Sequence, residues 1–149
     1  MSFITILNKH RKISFSERDK GDRFERLMQS YLYTDPKYAH LKKVWLWSEF
    51  PFRSDFGSHD IGIDLVAQTS EGEYWAVQCK AYREDARITK QEVDTFLSTS
   101  GRSFKDEEGQ QVHFAQRLWI STTNNWSSKA NETLQNQHLH QRSRHQFRQ

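Results

Sequence analysis

A chain of 149 residues has room for one domain with a real core, so no disulfide or metal staple is needed to fold it. Lys and Arg number 22 against 19 Asp and Glu. Arg142, Arg144 and Arg148 fall in residues 138–149 without an acid, so the rest of the chain balances at 19 to 19. The sequence pI near 9.0 thus belongs to the tail and is no argument for a nucleic-acid partner.

The single cysteine, Cys79, excludes an internal disulfide and a cysteine-rich zinc site. No run approaches the roughly 18 apolar residues of a membrane span. The apolar patch Phe3 to Leu7 is followed by Lys and Arg, the wrong order for a secretory signal. A soluble, cytoplasmic protein is expected, with no membrane partner. Hydrophobic residues make up only 35% of the chain, but aromatics reach 13%, so a core rich in Trp and Phe can compensate.

In chain order, Phe24, Leu27, Met28, Tyr31 and Leu32 recur at helical spacing and predict a helix over 19–34, stopped by Asp35-Pro36. Val44 to Trp47 has strand composition. Residues 53–59 read as a loop. Ile61 to Gln68 predicts a second strand, with Ile61, Ile63, Leu65 and Ala67 on one face. Tyr74 to Tyr82 predicts a third, with Trp75, Val77 and Cys79 inward. Thr89 and Glu92 form a capping box for a helix running to about Ser100. Residues 101–112 read as loop, Phe114 to Thr122 as a fourth strand, and Ser127 to Gln135 as a further helix. The order α-β-β-β-α-β is an α/β layout: a meander and then a crossover strand. Residues 138–149 show no period and no acid, and the predicted tail, 137–149, is expected to be disordered. The missing C-terminal element raises the hypothesis that the chain is a truncated part of something longer.

Period-2 alternation places Asp60, Gly62, Asp64 and Val66 together on the second strand, and Tyr74, Ala76, Gln78 and Lys80 together on the third. Register decides whether the polar groups meet. A three-residue loop Ser70-Glu71-Gly72, with Gly72 left-handed, pairs Thr69 with Glu73 and brings Asp64 opposite Gln78, with Lys80 diagonal to it. A two-residue turn would instead set Asp64 against Cys79. The position of Gly72 favours the first register. In that arrangement Asp64 offers a hard anionic oxygen for Mg²⁺, and Gln78 adds a neutral carbonyl. The backbone carbonyl of Cys79 is a further ligand, and Lys80 is a point charge for the attacking water and the phosphate.

Asp64 followed by Gln78-Cys79-Lys80 resembles the D…(E/D/Q)-x-K signature of PD-(D/E)XK nucleases. The Q-x-K form, the strand GIDLVA (62–67), the helix segment GDRFERL (21–27) and the run WISTTNNWSS (119–128) are similar to the Mrr-like branch. Within it, the likeness is to N-terminal nuclease domains of large restriction enzymes and predicted helicases of the Type ISP kind. The resemblance covers roughly residues 14–136.

It implies a restriction-endonuclease-like αβββαβ core with a mixed central sheet flanked by helices, and a nuclease domain over 1–136. The activity implied is Mg²⁺- or Mn²⁺-dependent hydrolysis of DNA. Helicase or translocase and methyltransferase domains would stand on a full-length form or a partner. By the same resemblance Asp64, Gln78 and Lys80 are the catalytic set, and Glu25 on the first helix joins Asp64, Gln78 and the Cys79 carbonyl around the metal. Gln78 departs from the commoner Glu or Asp and removes one negative charge.

Bland alternatives stand beside these readings. Glu25 fits a surface ion pair, and Asp60 a supporting or turn role. His59, His138, His140 and His145 fit loop and tail positions rather than a metal site. Cys79 fits a buried apolar position. Thr122, Thr123 and Asn124 fit either phosphate contact or a loop. The rival functions are a junction resolvase, an inactive nuclease-like module for DNA binding or assembly, and a non-functional fragment.

Overall fold

The computed structural model describes residues 17–57, 62–80, 87–121, 127–130 and 140–142, with backbone alone at 17–21 and 140–142. Helix α1 spans Glu17–Thr34. Its predicted stripe faces inward: Phe24, Met28, Tyr31 and Leu32 are buried, and Leu27 packs beside them. Asp35 ends it by accepting the Lys37 N–H at 2.8 Å, and Pro36 opens a 3-10 turn over Pro36–Tyr38.

Strand β1, Leu41–Leu46, is the edge of a five-stranded sheet that continues through β2 (Leu65–Thr69), β3 (Tyr74–Lys80), β6 (Phe114–Ser121) and β7 (His140–Arg142) in that order. Helix α1 shields that edge. Tyr33 Oη accepts the Val44 N–H at 2.8 Å, and Gln29 Nε2 donates to the Val44 carbonyl at 2.9 Å. Glu49, in the 3-10 turn after β1, accepts the Leu46 N–H at 3.1 Å and meets Arg26 at 3.2 Å.

β2 (Leu65–Thr69) and β3 (Tyr74–Lys80) form the predicted hairpin. Leu65 pairs with Val77 and Gln68 with Tyr74, the register expected from a three-residue loop. Gly72 closes that loop at φ 91°, and the Thr69 and Glu73 backbones bond at 2.8 Å. Helix α2, Lys90–Ser100, starts at the predicted capping box. It leads to β6, Phe114–Ser121, which pairs parallel to β3 as the expected crossover. The sheet is therefore mixed, with helices on both faces.

Three segments differ from the sequence reading. β2 begins at Leu65 rather than Ile61, and Ile61 itself lies outside the described residues. Residues 101–112 hold a small hairpin of β4 (Phe104–Lys105) and β5 (Gln111–Val112). The 3-10 segment Arg53–Phe56 is pinned to that hairpin: Asp55 accepts the Lys105 N–H at 2.7 Å, and Arg102 stacks over the Phe56 ring. In the predicted tail, the backbone of His140–Arg142 forms β7, parallel to β6, where no element was expected. Strand pairing with Leu118–Ile120 supplies order that local composition does not encode. The rest of the tail lies outside the described residues, as do 131–135 of the last predicted helix; residues 128–130 are helical.

Two clusters fill the two faces. On the α1 side, helix residues meet Leu41, Val44, Leu65, Val77, Cys79 and Ile120. On the α2 side, Val93 and Phe96 meet Val66, Ala76 and Trp119, and rings including Phe50, Phe104 and Phe114 extend the cluster. No helix among the described residues is long and apolar enough to cross a membrane.

Candidate active site

The carboxyl ends of the parallel strands β3 and β6 and the first turn of α2 come together at one end of the sheet. Asp64 stands there, one residue before β2. Its carbonyl accepts the Trp47 N–H at 2.8 Å, and its own N–H donates to the Val77 carbonyl at 3.0 Å. Val77 is already the ladder partner of Leu65, so regular pairing lapses at Asp64. The carboxylate fills the gap: Oδ2 accepts the Cys79 N–H at 2.8 Å. Both main-chain groups and one carboxylate oxygen of Asp64 are thus anchored.

The lapse also moves Ile63. Alternation alone puts it with Leu65 and Ala67, but it packs in the α2-side cluster with Val66. Gly62 explains the tight approach. It has φ 75°, and a Cβ there would lie 3.2 Å from Thr95 Cγ2 on α2.

An open cleft of about 270 Å³ is lined by Gly62, Asp64, Gln78, Lys80, Gln91, Glu92 and Thr95. The three residues expected to carry catalysis therefore share one cavity. Lys80 is half-buried. Gln78 is only 3% exposed, and its buried amide oxygen has no hydrogen-bond partner among the described residues. A buried oxygen left without a partner is costly, so this one has the capacity to accept a hydrogen-bond donor or a cation. The donors fit a hard divalent cation: a carboxylate and an amide oxygen at one cleft. No three His, Cys, Asp or Glu side chains converge on a common point among the described residues.

Glu25 is half-buried on α1 and is not part of the cleft lining. Its charge reaches Cys79 instead. Burial first, then Asp64, then Glu25, hold the Cys79 thiol well above its ordinary pKa, so it is a neutral packing group rather than a thiolate. Asp60, His59 and Thr122 to Asn124 lie outside the described residues, as do His138 and His145. Sequence reasoning missed Gln91 and Thr95, and took Glu92 only as a cap. The available signal was the polar run at 91, 92 and 95, beside the inward Val93 and Phe96.

Among solved structures, the chain is similar to the ATP-dependent Type ISP restriction-modification enzyme LlaBIII bound to DNA. The TM-score is 0.65 with 28% sequence identity, over 92% of this chain. The chain spans about 8% of the length of that enzyme. No curated protein matches it. The Mrr_cat_2 restriction endonuclease family matches residues 33–147, which takes in β1 through β7 and begins just before α1 ends. By that match, over more than half its length, the chain belongs to the Mrr_cat_2 restriction endonuclease family.

Proposed function

We propose that the chain is a divalent-metal-dependent endonuclease module that hydrolyses DNA phosphodiesters within an ATP-driven restriction-modification system. It would act in the cytoplasm, with a translocating motor and a methyltransferase on a longer form or a partner. The observation that carries the reading is the shared cleft of Asp64, Gln78 and Lys80, where the Gln78 amide oxygen has no partner among the described residues.

Asp64, Gln78 and the Cys79 carbonyl would hold the cation, and Glu25 would add its charge from the α1 side. When bound, the cation supplies Lewis-acid activation of water and phosphate. The chain's own groups do the rest. The Cys79 N–H fixes the orientation of the Asp64 carboxylate. The Lys80 ammonium orients the attacking water and offsets the charge that builds on the phosphate oxygens. Residues 1–137 carry no net charge, so DNA affinity should be weak and steeply salt-dependent, which suits a module delivered by a motor.

The test is nicking of supercoiled plasmid in Mg²⁺ and in Mn²⁺. Lys80→Ala and Asp64→Ala should each lower the rate by about 10²-fold or more. Nicking that survives both substitutions would overturn the assignment. One observation favours a second reading, an inactive nuclease-like module: no three metal-ligating acids, histidines or cysteines converge among the described residues. A folded parent protein that neither nicks DNA nor binds Mn²⁺ would establish it.

A further inference from the structure

The metal site implied by Asp64 and Gln78 is short of charge. Within the cleft lining Asp64 contributes one negative charge, Gln78 none, and Lys80 cancels what Asp64 brings; Glu25 acts from outside that lining. Divalent-cation affinity follows the number of anionic ligands, so a second carboxylate on the cleft side would matter. We propose that Glu92, on the first turn of α2, is a cation-binding carboxylate of this cleft and supplies the charge that Gln78 lacks. The inference rests on the nuclease reading above.

Three observations carry it. Glu92 lines the same cleft as Asp64, Gln78 and Lys80. Gln78 is another residue of that lining, and its buried amide oxygen has no partner among the described residues, which points to a cation independently of any acid nearby. Glu92 is also held in place. Thr89 Oγ1 accepts the Glu92 N–H at 3.3 Å, and Glu92 Oε2 accepts the Thr89 N–H at 3.3 Å. The helix behind it is anchored by buried Val93 and Phe96, and Gly62 lets its Thr95 approach the chain leading into β2.

The test is calorimetric titration of the purified chain with Mn²⁺, with and without a DNA duplex. Glu92→Gln keeps an oxygen for the cap and removes the charge. It should weaken Mn²⁺ binding by about tenfold or more, and its nicking should need correspondingly more Mn²⁺. Glu92→Asp keeps both cap and charge but draws the carboxylate back, so its affinity should fall between parent and Glu92→Gln. Thermal melting of each variant reports folding. Parent-like Mn²⁺ binding by Glu92→Gln, with binding lost in Asp64→Asn, would overturn the Glu92 assignment and leave the nuclease reading standing. A parent protein that binds no Mn²⁺ in either condition would overturn both.

Discussion

Strand β3 presents two different sides. Toward α1, Trp75, Val77 and Cys79 stay apolar to the strand's end and pack on one cluster. Toward α2, Tyr74 and Ala76 join the ring-rich cluster, but the next two residues on that side, Gln78 and Lys80, open into a polar cleft. The α1 side therefore holds the strands together without interruption. The α2 side concentrates its rings away from the cleft, where Phe50, Tyr74, Phe104 and Phe114 contact one another. That division lets one end of a strand carry an unsatisfied oxygen and a lysine, because the burial that stabilises it lies elsewhere.

The largest effect expected from breaking this comparison is at Phe96, buried against Trp119 on the cleft side. Phe96→Ala should cost about 3–5 kcal/mol in urea denaturation and also depress nicking, because Phe96 seats the helix that carries Glu92. On the other face Leu32→Ala should cost about 2–5 kcal/mol, yet leave nicking per folded molecule near the parent value. Equal loss of nicking in both would erase the distinction between the faces.

Gly62→Ala sharpens it at smaller scale. The backbone there is left-handed and a Cβ would press on Thr95, so about 1–2 kcal/mol of strain is expected. Nicking should fall further than stability does, since the displaced contact is a wall of the cleft.

The smallest effect concerns pH. Cys79 has its folded-state thiol pKa raised above the ordinary 9.0 by burial and by the Asp64 and Glu25 charges. The folded protein thus holds this proton more tightly than the unfolded chain. Its contribution to stability is complete below about pH 9 and is lost as the pH rises beyond it. The denaturation midpoint should therefore decline on the alkaline side, and less steeply in Cys79→Ala.

Much of the site was legible in the sequence. Gly72 chose the hairpin register, and that register sets Asp64 beside the chain bearing Gln78 and Lys80. The capping box at Thr89 and Glu92 located α2 to the residue. Glu92 itself escaped, because one side chain served two purposes and the local one, satisfying the Thr89 N–H, was explanation enough. Ile63 was assigned to the wrong face because alternation assumes an unbroken ladder, and the ladder lapses at Asp64. The hairpin of β4 and β5 and the short β7 are two or three residues each. Strands that short have no periodicity of their own to read.

By itself the sequence determined the order of the longer elements, the mixed α/β class, the inward stripe of α1 and the residue types of the candidate site. Each is a local matter of spacing, capping or turn chemistry. Only the tertiary structure decided that the first turn of α2 shares a cleft with Asp64, Gln78 and Lys80. It also decided that a stretch of basic tail adds a fifth strand. Those outcomes depend on how α2 seats on the sheet and on which backbone groups remain to be paired once the ladder ends. Both are set by contacts between residues far apart in the chain.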